Sequence, residues 1–374
     1  MLTRRDNFLA TLRRQPHDCL PAAFVIDNMN YPAGFPAEVF EVERVWEIEH
    51  NVAFQRRLGL DVHFRASPGG LAETAAAQFC REDPAGGTIW ATPVGRLHAD
   101  APAGPGQPRL VQGNEVLLKR PEDWDTWAWI YEQHRYQVDE ATLAECRRHL
   151  EVVGDDGILY VGGPATPIMD AVRTWAGIEN VVYGLCDFPE RVDNLLAVVA
   201  ERCCEQYELI CAHTPATLVV LWDDATTSLL SRALFEKYSL PVLRRYAEIA
   251  HRHGKLLVNH TCGKIRGFAD LYAAAEQDAL DWLAVPPTGD MSLALAQERW
   301  QGAVTPLVTP DPATVRHGTP AEVAAHLEGI LAGGDLTRAV VLLPCPQGTP
   351  RETAAAMVEV LRRYGARVEG DAWG

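Results

Sequence analysis

Short apolar runs alternate with longer amphipathic stretches through the second half of the chain. The runs at 157–162, 218–222, 256–259, 279–285, 304–308 and 339–343 are rich in Val and Leu and read as strands. Between them, helical spacing starts near Met169 and recurs at 189–213, 231–254 (interrupted at Pro241), 268–276, 320–332 and 350–364. Gly254 and Gly263 punctuate the joins. The first twenty residues read as a charged amphipathic helix ending near Pro16. This alternation predicts parallel strands covered by helices, and the α/β fold class is a single (β/α)8 TIM barrel rather than a doubly wound sheet. No Gly-x-Gly-x-x-Gly follows a strand, so the dinucleotide fingerprint is missing.

Residues 66–120 break the pattern. Gly, Pro and Ala are frequent, and 87–97 has the look of a β-hairpin. We read this N-terminal-half region as an insertion near the barrel mouth, within one domain spanning residues 1–374. A decorative hairpin fits as well as one that shapes a pocket. The tail after Arg367 is expected to fray.

Composition narrows the class of partner. The formal net charge is −16 and hydrophobic residues make up 47%, enough for a large core. No basic run offsets the acidic background, which argues against nucleic acid and anionic membranes and for a small molecule or another protein. Nothing reaches the length of a membrane span. The nine cysteines are an odd number in a long chain without a secretory signal. That pattern implies a reduced cytoplasm, with most cysteines packed as small hydrophobes.

The candidate chemistry falls at the ends of the apolar runs, where a barrel places its active site. His260 and Cys262 follow Leu256-Leu-Val-Asn, and Cys345 follows Ala339-Val-Val-Leu-Leu-Pro. In extended chain, residues i and i+2 face one side, so His260 and Cys262 can aim at one point and a neighbouring strand can supply a third donor. One imidazole and two thiolates suit zinc, and three protein ligands leave a position open for chemistry. Buried cysteines are also ordinary core residues, so the pair by itself leaves both readings standing. Asp223 and Asp224 end the 218–222 run and are candidates to hold a substrate amine or hydroxyl or to support the site, or one of them caps a helix starting at Ala225. His63, Asn28 and Tyr31 follow the first strand-like segments and are candidate substrate contacts. His251 and His253 end a helix and complement its dipole.

These segments together resemble the uroporphyrinogen decarboxylase superfamily, and specifically its zinc-dependent methyltransferase branch. Arg5-Asp-Asn-Phe-Leu-Ala-Thr-Leu-Arg-Arg14 with Pro21 is similar to the family's opening helix and first strand. Leu58-Gly-Leu-Asp61, Pro121-Glu-Asp-Trp124, Val219-Val-Leu-Trp-Asp-Asp224 and Phe235 to Pro241 resemble later blocks, and Thr349-Pro-Arg-Glu352 the closing one. His260-Thr-Cys-Gly263 with Cys345 resembles the His-x-Cys…Cys zinc motif of methylcobamide:thiol methyltransferases. The chain departs from the pattern at Val308-Thr-Pro-Asp-Pro312. It also departs at 282–287, where no carboxylate occurs before Asp290, and at Asn28-Met-Asn-Tyr-Pro32, which replaces an arginine-rich opening.

The resemblance implies a zinc enzyme that moves a methyl group between a corrinoid, carried as methylcobalamin on a partner protein, and a small-molecule donor or acceptor. Zinc would activate a thiolate or an oxygen leaving group. A free pterin is the rival carrier. A metal-assisted decarboxylase or lyase on the same barrel is the alternative reaction, and a non-catalytic metal-binding scaffold the alternative class. The missing arginine-rich opening weighs against a porphyrinogen with four carboxylates.

Overall fold

The computed structural model describes residues 1–26, 47–66, 70–84, 87–99, 116–345, 349–370 and 372. Thirteen strands appear among them: β1 (Ala22–Val25), β2 (Val62–Arg65), β3 (Leu71–Glu73), β4 (Cys80–Glu82), β5 (Thr88–Ala91), β6 (Arg96–Ala99), β7 (Tyr136–Val138), β8 (Gly157–Gly163), β9 (Leu218–Trp222), β10 (Leu256–His260), β11 (Ala279–Ala284), β12 (Thr305–Thr309) and β13 (Val340–Pro344). Eight of them make one parallel sheet in the order β1-β13-β12-β11-β10-β9-β8-β2. A parallel bridge between Ala23 and Asp61 joins the two ends, so the sheet curls into a nearly closed barrel. Helices follow the strands, as in a (β/α)8 TIM barrel.

Side-chain alternation divides each strand between two cores. Ala23, Ile158, Tyr160, Leu218, Val220, Leu256, Val258, Ala279, Leu307, Val340 and Leu342 fill the barrel interior. Their neighbours Phe24, Leu159, Val161, Val219, Leu221, Leu257, Leu280, Val341 and Leu343 pack outward under the helices. Both faces are buried, so the strands read as continuous apolar runs rather than as alternation.

The first helix, Arg4–Leu12, is capped by the Thr3 side chain, which accepts from Asp6 N. Asn7 through Leu12 are all buried, and Phe8, Leu9 and Leu12 join the interior cluster. The expected charged amphipathic helix is therefore a stopper for the N-terminal end of the barrel. The 58–61 turn has a physical reason as well. Gly59 caps the helix Ile48–Leu58 at φ 79°, and a Cβ there would meet Gly370 N at 2.1 Å. Asp61 then turns inward to pair with Arg4 at 2.9 Å and to accept from Ala22 N at 3.1 Å.

Two predicted helices carry a wider turn. The stretch at 231–254 resolves into helix Arg232–Leu234, a π-helical turn Phe235–Ser239 and helix Leu240–Arg252. Pro241 lacks an N–H and its ring crowds the preceding turn, which displaces the hydrogen-bond register there. The stretch after β8 likewise runs as helix Pro167–Asp170, a π-helical turn Ala171–Trp175 and helix Gly177–Asp187. Such turns re-aim side chains and gather at functional sites.

The hairpin expected at 87–97 is formed by β5 and β6, with β4 as a third antiparallel strand. It rests on helix Pro121–Gln133, where Trp90 meets Trp127 edge-on at 5.4 Å.

Candidate active site

The inward alternation of β2, β9, β10 and β11 ends in polar or amphipathic side chains at the carboxyl end of the barrel: Arg65, Trp222, His260 and Asp281. Arg65 lies over the Trp222 ring, its guanidinium carbon 3.6 Å from the centroid. His260 pairs in register with Trp222 on one side and Asp281 on the other. A bulge in β11 at Asp281 and Leu283 leaves Trp282 at φ 64°. The Trp282 ring stands 5.6 Å from that of His260.

Geometry around His260 is specific at both ring nitrogens. Nδ1 donates to Asp281 Oδ2 at 2.8 Å, and Nε2 faces Cys262 Sγ at 3.1 Å. The carboxylate fixes the tautomer and turns Nε2 toward the thiol. Burial disfavours the charged ring, but Asp281 and Cys262 outweigh it and hold the His260 pKa well above the ordinary value. Burial also lifts the Cys262 thiol, more than the neighbouring imidazole lowers it. Cys262 N donates to Asp224 Oδ1 at 3.0 Å, and Gly263 follows at φ 124° facing Thr226. Asp290 accepts from the N–H groups of Ile265 and Arg266, so it braces the loop after the pair.

Donor atoms of Asp224, His260 and Cys262 all lie within 4.8 Å of one another, the one such grouping among the described residues. An imidazole nitrogen, a thiol and a carboxylate converge there with the remote imidazole nitrogen already occupied, a donor set that suits zinc. Cys345 stands apart from that grouping. It is 1% exposed, one residue beyond Pro344, and packs in the outer apolar core, where burial raises its thiol pKa well above the ordinary range.

The two aspartates after β9 have separate surroundings. Both N–H groups go to His260 O, at 3.2 and 3.1 Å, and Asp224 adopts φ 51°. No helix starts at Ala225, so neither residue is the helix cap that the sequence allowed. Asp223 is fully buried; its Oδ1 accepts from Thr166 N at 2.8 Å and Thr166 Oγ1 at 2.6 Å, while Oδ2 has no partner among the described residues. Burial pushes its pKa up to about 6. Asp224 Oδ2 pairs with Arg173 Nη1 at 3.2 Å, and the same nitrogen donates to Trp222 O at 2.5 Å.

His63 sits below the mouth, 7% exposed, with its ring 4.7 Å from Tyr160 inside the barrel. Asn28 and Tyr31 lie outside the described residues. Asp281 stands one residue before the carboxylate-free stretch 282–287 and is a site residue that local spacing does not single out. A lone carboxylate inside the apolar run Ala279-Leu-Asp-Trp-Leu-Ala284 was the available signal. Arg173 is another such residue, and its position depends on the π-helical turn Ala171–Trp175.

A family model described as "Uroporphyrinogen decarboxylase (URO-D)" matches residues 156–364. No curated protein matches the chain. Among solved structures, a methyltransferase from Methanosarcina mazei is similar in fold: 17% identity, TM-score 0.62, covering 97% of this chain and 99% of that one. A B12-independent methionine synthase from a Shewanella species aligns over 61% of this chain and 69% of that one, at 15% identity and TM-score 0.43. The family match spans more than half of the residues, includes both strand ends that bear His260 and Cys345, and agrees with the barrel, so the chain belongs to the uroporphyrinogen decarboxylase (URO-D) family.

Proposed function

We propose that this protein is a zinc-dependent methyltransferase of the URO-D family, moving a methyl group between a carrier and a small molecule. The observation that carries the reading is His260 held at Nδ1 by Asp281 while Nε2 faces Cys262 at 3.1 Å, beside the Asp224 carboxylate. The fold likeness to the Methanosarcina mazei methyltransferase agrees with it.

His260 Nε2 and Cys262 Sγ would hold the ion. Cys345 is the third proposed ligand, supplied by the chain end that leads into residues 346–348, and Asp224 the carboxylate within reach. A zinc-class ion bound there supplies a positive centre that lowers a thiol pKa or stabilises a departing oxygen anion at neutral pH. Asp281 orients the imidazole. Asp224 fixes the Cys262 backbone. Arg173 ties Asp224 to the end of β9 and limits its freedom. The carrier is proposed to be a corrinoid on a partner protein that docks at the carboxyl end of the barrel. In the thiol-accepting direction, the substrate sulfur forms a bond to the methyl carbon as the bond to the carrier breaks. The carrier keeps that electron pair, and the thiol proton leaves to solvent. The 66–120 region is proposed to be an elaboration of the same domain that shapes the mouth.

The test is metal analysis followed by methylcobalamin consumption with candidate thiols and methyl ethers. Roughly one zinc per chain and thiol-dependent loss of the methylcobalamin spectrum support the reading. Metal-free protein that cannot be loaded, or carbon dioxide release from a carboxylated substrate without methyl transfer, sinks it.

A further inference from the structure

A cleft of about 510 Å³ is lined by Arg14, His17, Gln301, Gly302, Thr337 and Arg338. Three chain segments meet there: 14–17 after the stopper helix Arg4–Leu12, 301–302 before β12, and 337–338 before β13. These are the amino-terminal ends of the strands, so the cleft lies at the opposite end of the barrel from His260. Side chains tie the segments into one wall. Arg14 Nη1 donates to Ala303 O at 2.6 Å, and His17 Nε2 lies 2.9 Å from Thr337 O.

The lining carries cations and no carboxylate, in a chain whose net charge is −16. Arg14 reaches Asp278 only at 4.0 Å, and that acid is already engaged at Oδ2 by His251 Nε2 and Leu257 N. Arg338 Nε stands 3.6 Å from Asp335 Oδ2, beyond hydrogen-bond range, while Asp335 Oδ1 accepts from Thr337 N and Thr337 Oγ1. His17 adds a third charge by its geometry. Its Nδ1 is 3.0 Å from Cys19 O and its Nε2 2.9 Å from Thr337 O. A neutral imidazole donates from one ring nitrogen only, so both carbonyls are served at once only by the imidazolium. Backbone strain marks the same place. Among the described non-glycine residues with positive φ, Asp224 and Trp282 belong to the candidate active site, and Arg14 (58°) and Gln301 (48°) line this cleft. Residues held in that region gather at ligand sites.

We infer that this cleft binds a diphosphate group, free or carried on a nucleoside, across Arg14, His17 and Arg338. The side chains of Arg14 and Arg338 are 40% and 60% exposed, and exposed guanidinium pairs are weak one at a time in salt, so a singly charged anion gains little here. Several negative charges on one ligand engage all three cations together, and the forked guanidinium donors match phosphate oxygens. The bound anion ties the end of the stopper helix to the feet of β12 and β13, and binding to the folded state alone stabilises the barrel. The inference is independent of the methyl-transfer reading, because the two sites share no residue and lie at opposite ends of the barrel.

The experiment is isothermal titration calorimetry of the whole protein at about 0.15 M salt, without magnesium, using sodium pyrophosphate, adenosine diphosphate and, as a monovalent reference, acetate. At least one diphosphate should bind about tenfold or more tighter than acetate and raise the melting temperature. Arg338→Gln and Gln301→Glu should each weaken that binding by about tenfold, with an unchanged circular dichroism spectrum. Arg191→Gln, which removes a 42% exposed arginine paired with Asp125 outside the cleft, should leave it unchanged. Pyrophosphate binding tighter than the nucleotide assigns the free anion, and the reverse assigns the nucleotide. Failure of both diphosphates to bind, affinity no better than that of acetate, or binding that survives both cleft substitutions overturns the site. An equal loss in Arg191→Gln overturns it as well, because the attraction would then belong to the surface at large.

Discussion

His260 Nδ1 donates to Asp281 Oδ2 at 2.8 Å, across neighbouring strands whose register pairs the two residues directly. Asp281→Ala should leave the fold intact and lower zinc affinity by about 10- to 100-fold, because the imidazole loses its fixed tautomer and orientation. Competition with a chromogenic chelator measures this. An unchanged affinity would show that His260 is oriented by its own strand.

The proposed third ligand is tested by comparing cysteines. Cys345→Ser should strip zinc far more readily than Cys203→Ser, since Cys203 is 2% exposed in the core between helices and touches no candidate donor. Zinc content after dialysis separates them. Equal retention would leave Asp224, His260 and Cys262 as the protein ligands, the set already within 4.8 Å.

If the zinc keeps an exchangeable position, adding a substrate thiol should add a sulfur scatterer to its X-ray absorption spectrum and release a proton at neutral pH. Calorimetry in buffers of different ionisation enthalpy counts that proton. A spectrum unchanged by a thiol that is turned over would make the ion structural.

Asp61 predicts a pH effect at the opposite end of the barrel. Burial raises its pKa to about 6, against the ordinary 3.8, despite the Arg4 partner and the Ala22 N–H. A raised folded-state pKa means that its contribution is most favourable below the unfolded value and is lost as pH rises through about 6. Wild-type stability relative to Asp61→Asn should therefore fall between pH 4 and pH 7, by on the order of 3 kcal/mol at most. Urea melts of both proteins across that range read the difference. A difference that grows with pH would mean that the ion pair with Arg4 outweighs burial.

Gly59→Ala should lower the melting temperature by several degrees. The residue occupies φ 79°, and a Cβ would run into Gly370 N at 2.1 Å, so strain and a displaced C-terminal segment act together.

Much of this architecture was legible because the strands are buried on both faces. The runs Leu218–Trp222, Leu256–His260 and Val340–Pro344 carry side chains that neither water nor a turn would accept, which is why parallel strands under helices could be read directly. The i, i+2 spacing of His260 and Cys262 likewise placed imidazole and thiol on one side of the chain. Partners across strands are a different matter, because register is set by packing and not by local spacing. Asp281 meets His260, and Asp224 meets Cys262, only once β9, β10 and β11 stand side by side. The π-helical turn at Ala171–Trp175 decides where Arg173 points, and the burial of Asp223 against Thr166 arises from elements far apart in the chain. Local sequence determined which segments must be buried and which donors share a strand end. Tertiary packing decided which charges lose their water and which side chain each must then face, because desolvation depends on everything within reach in space.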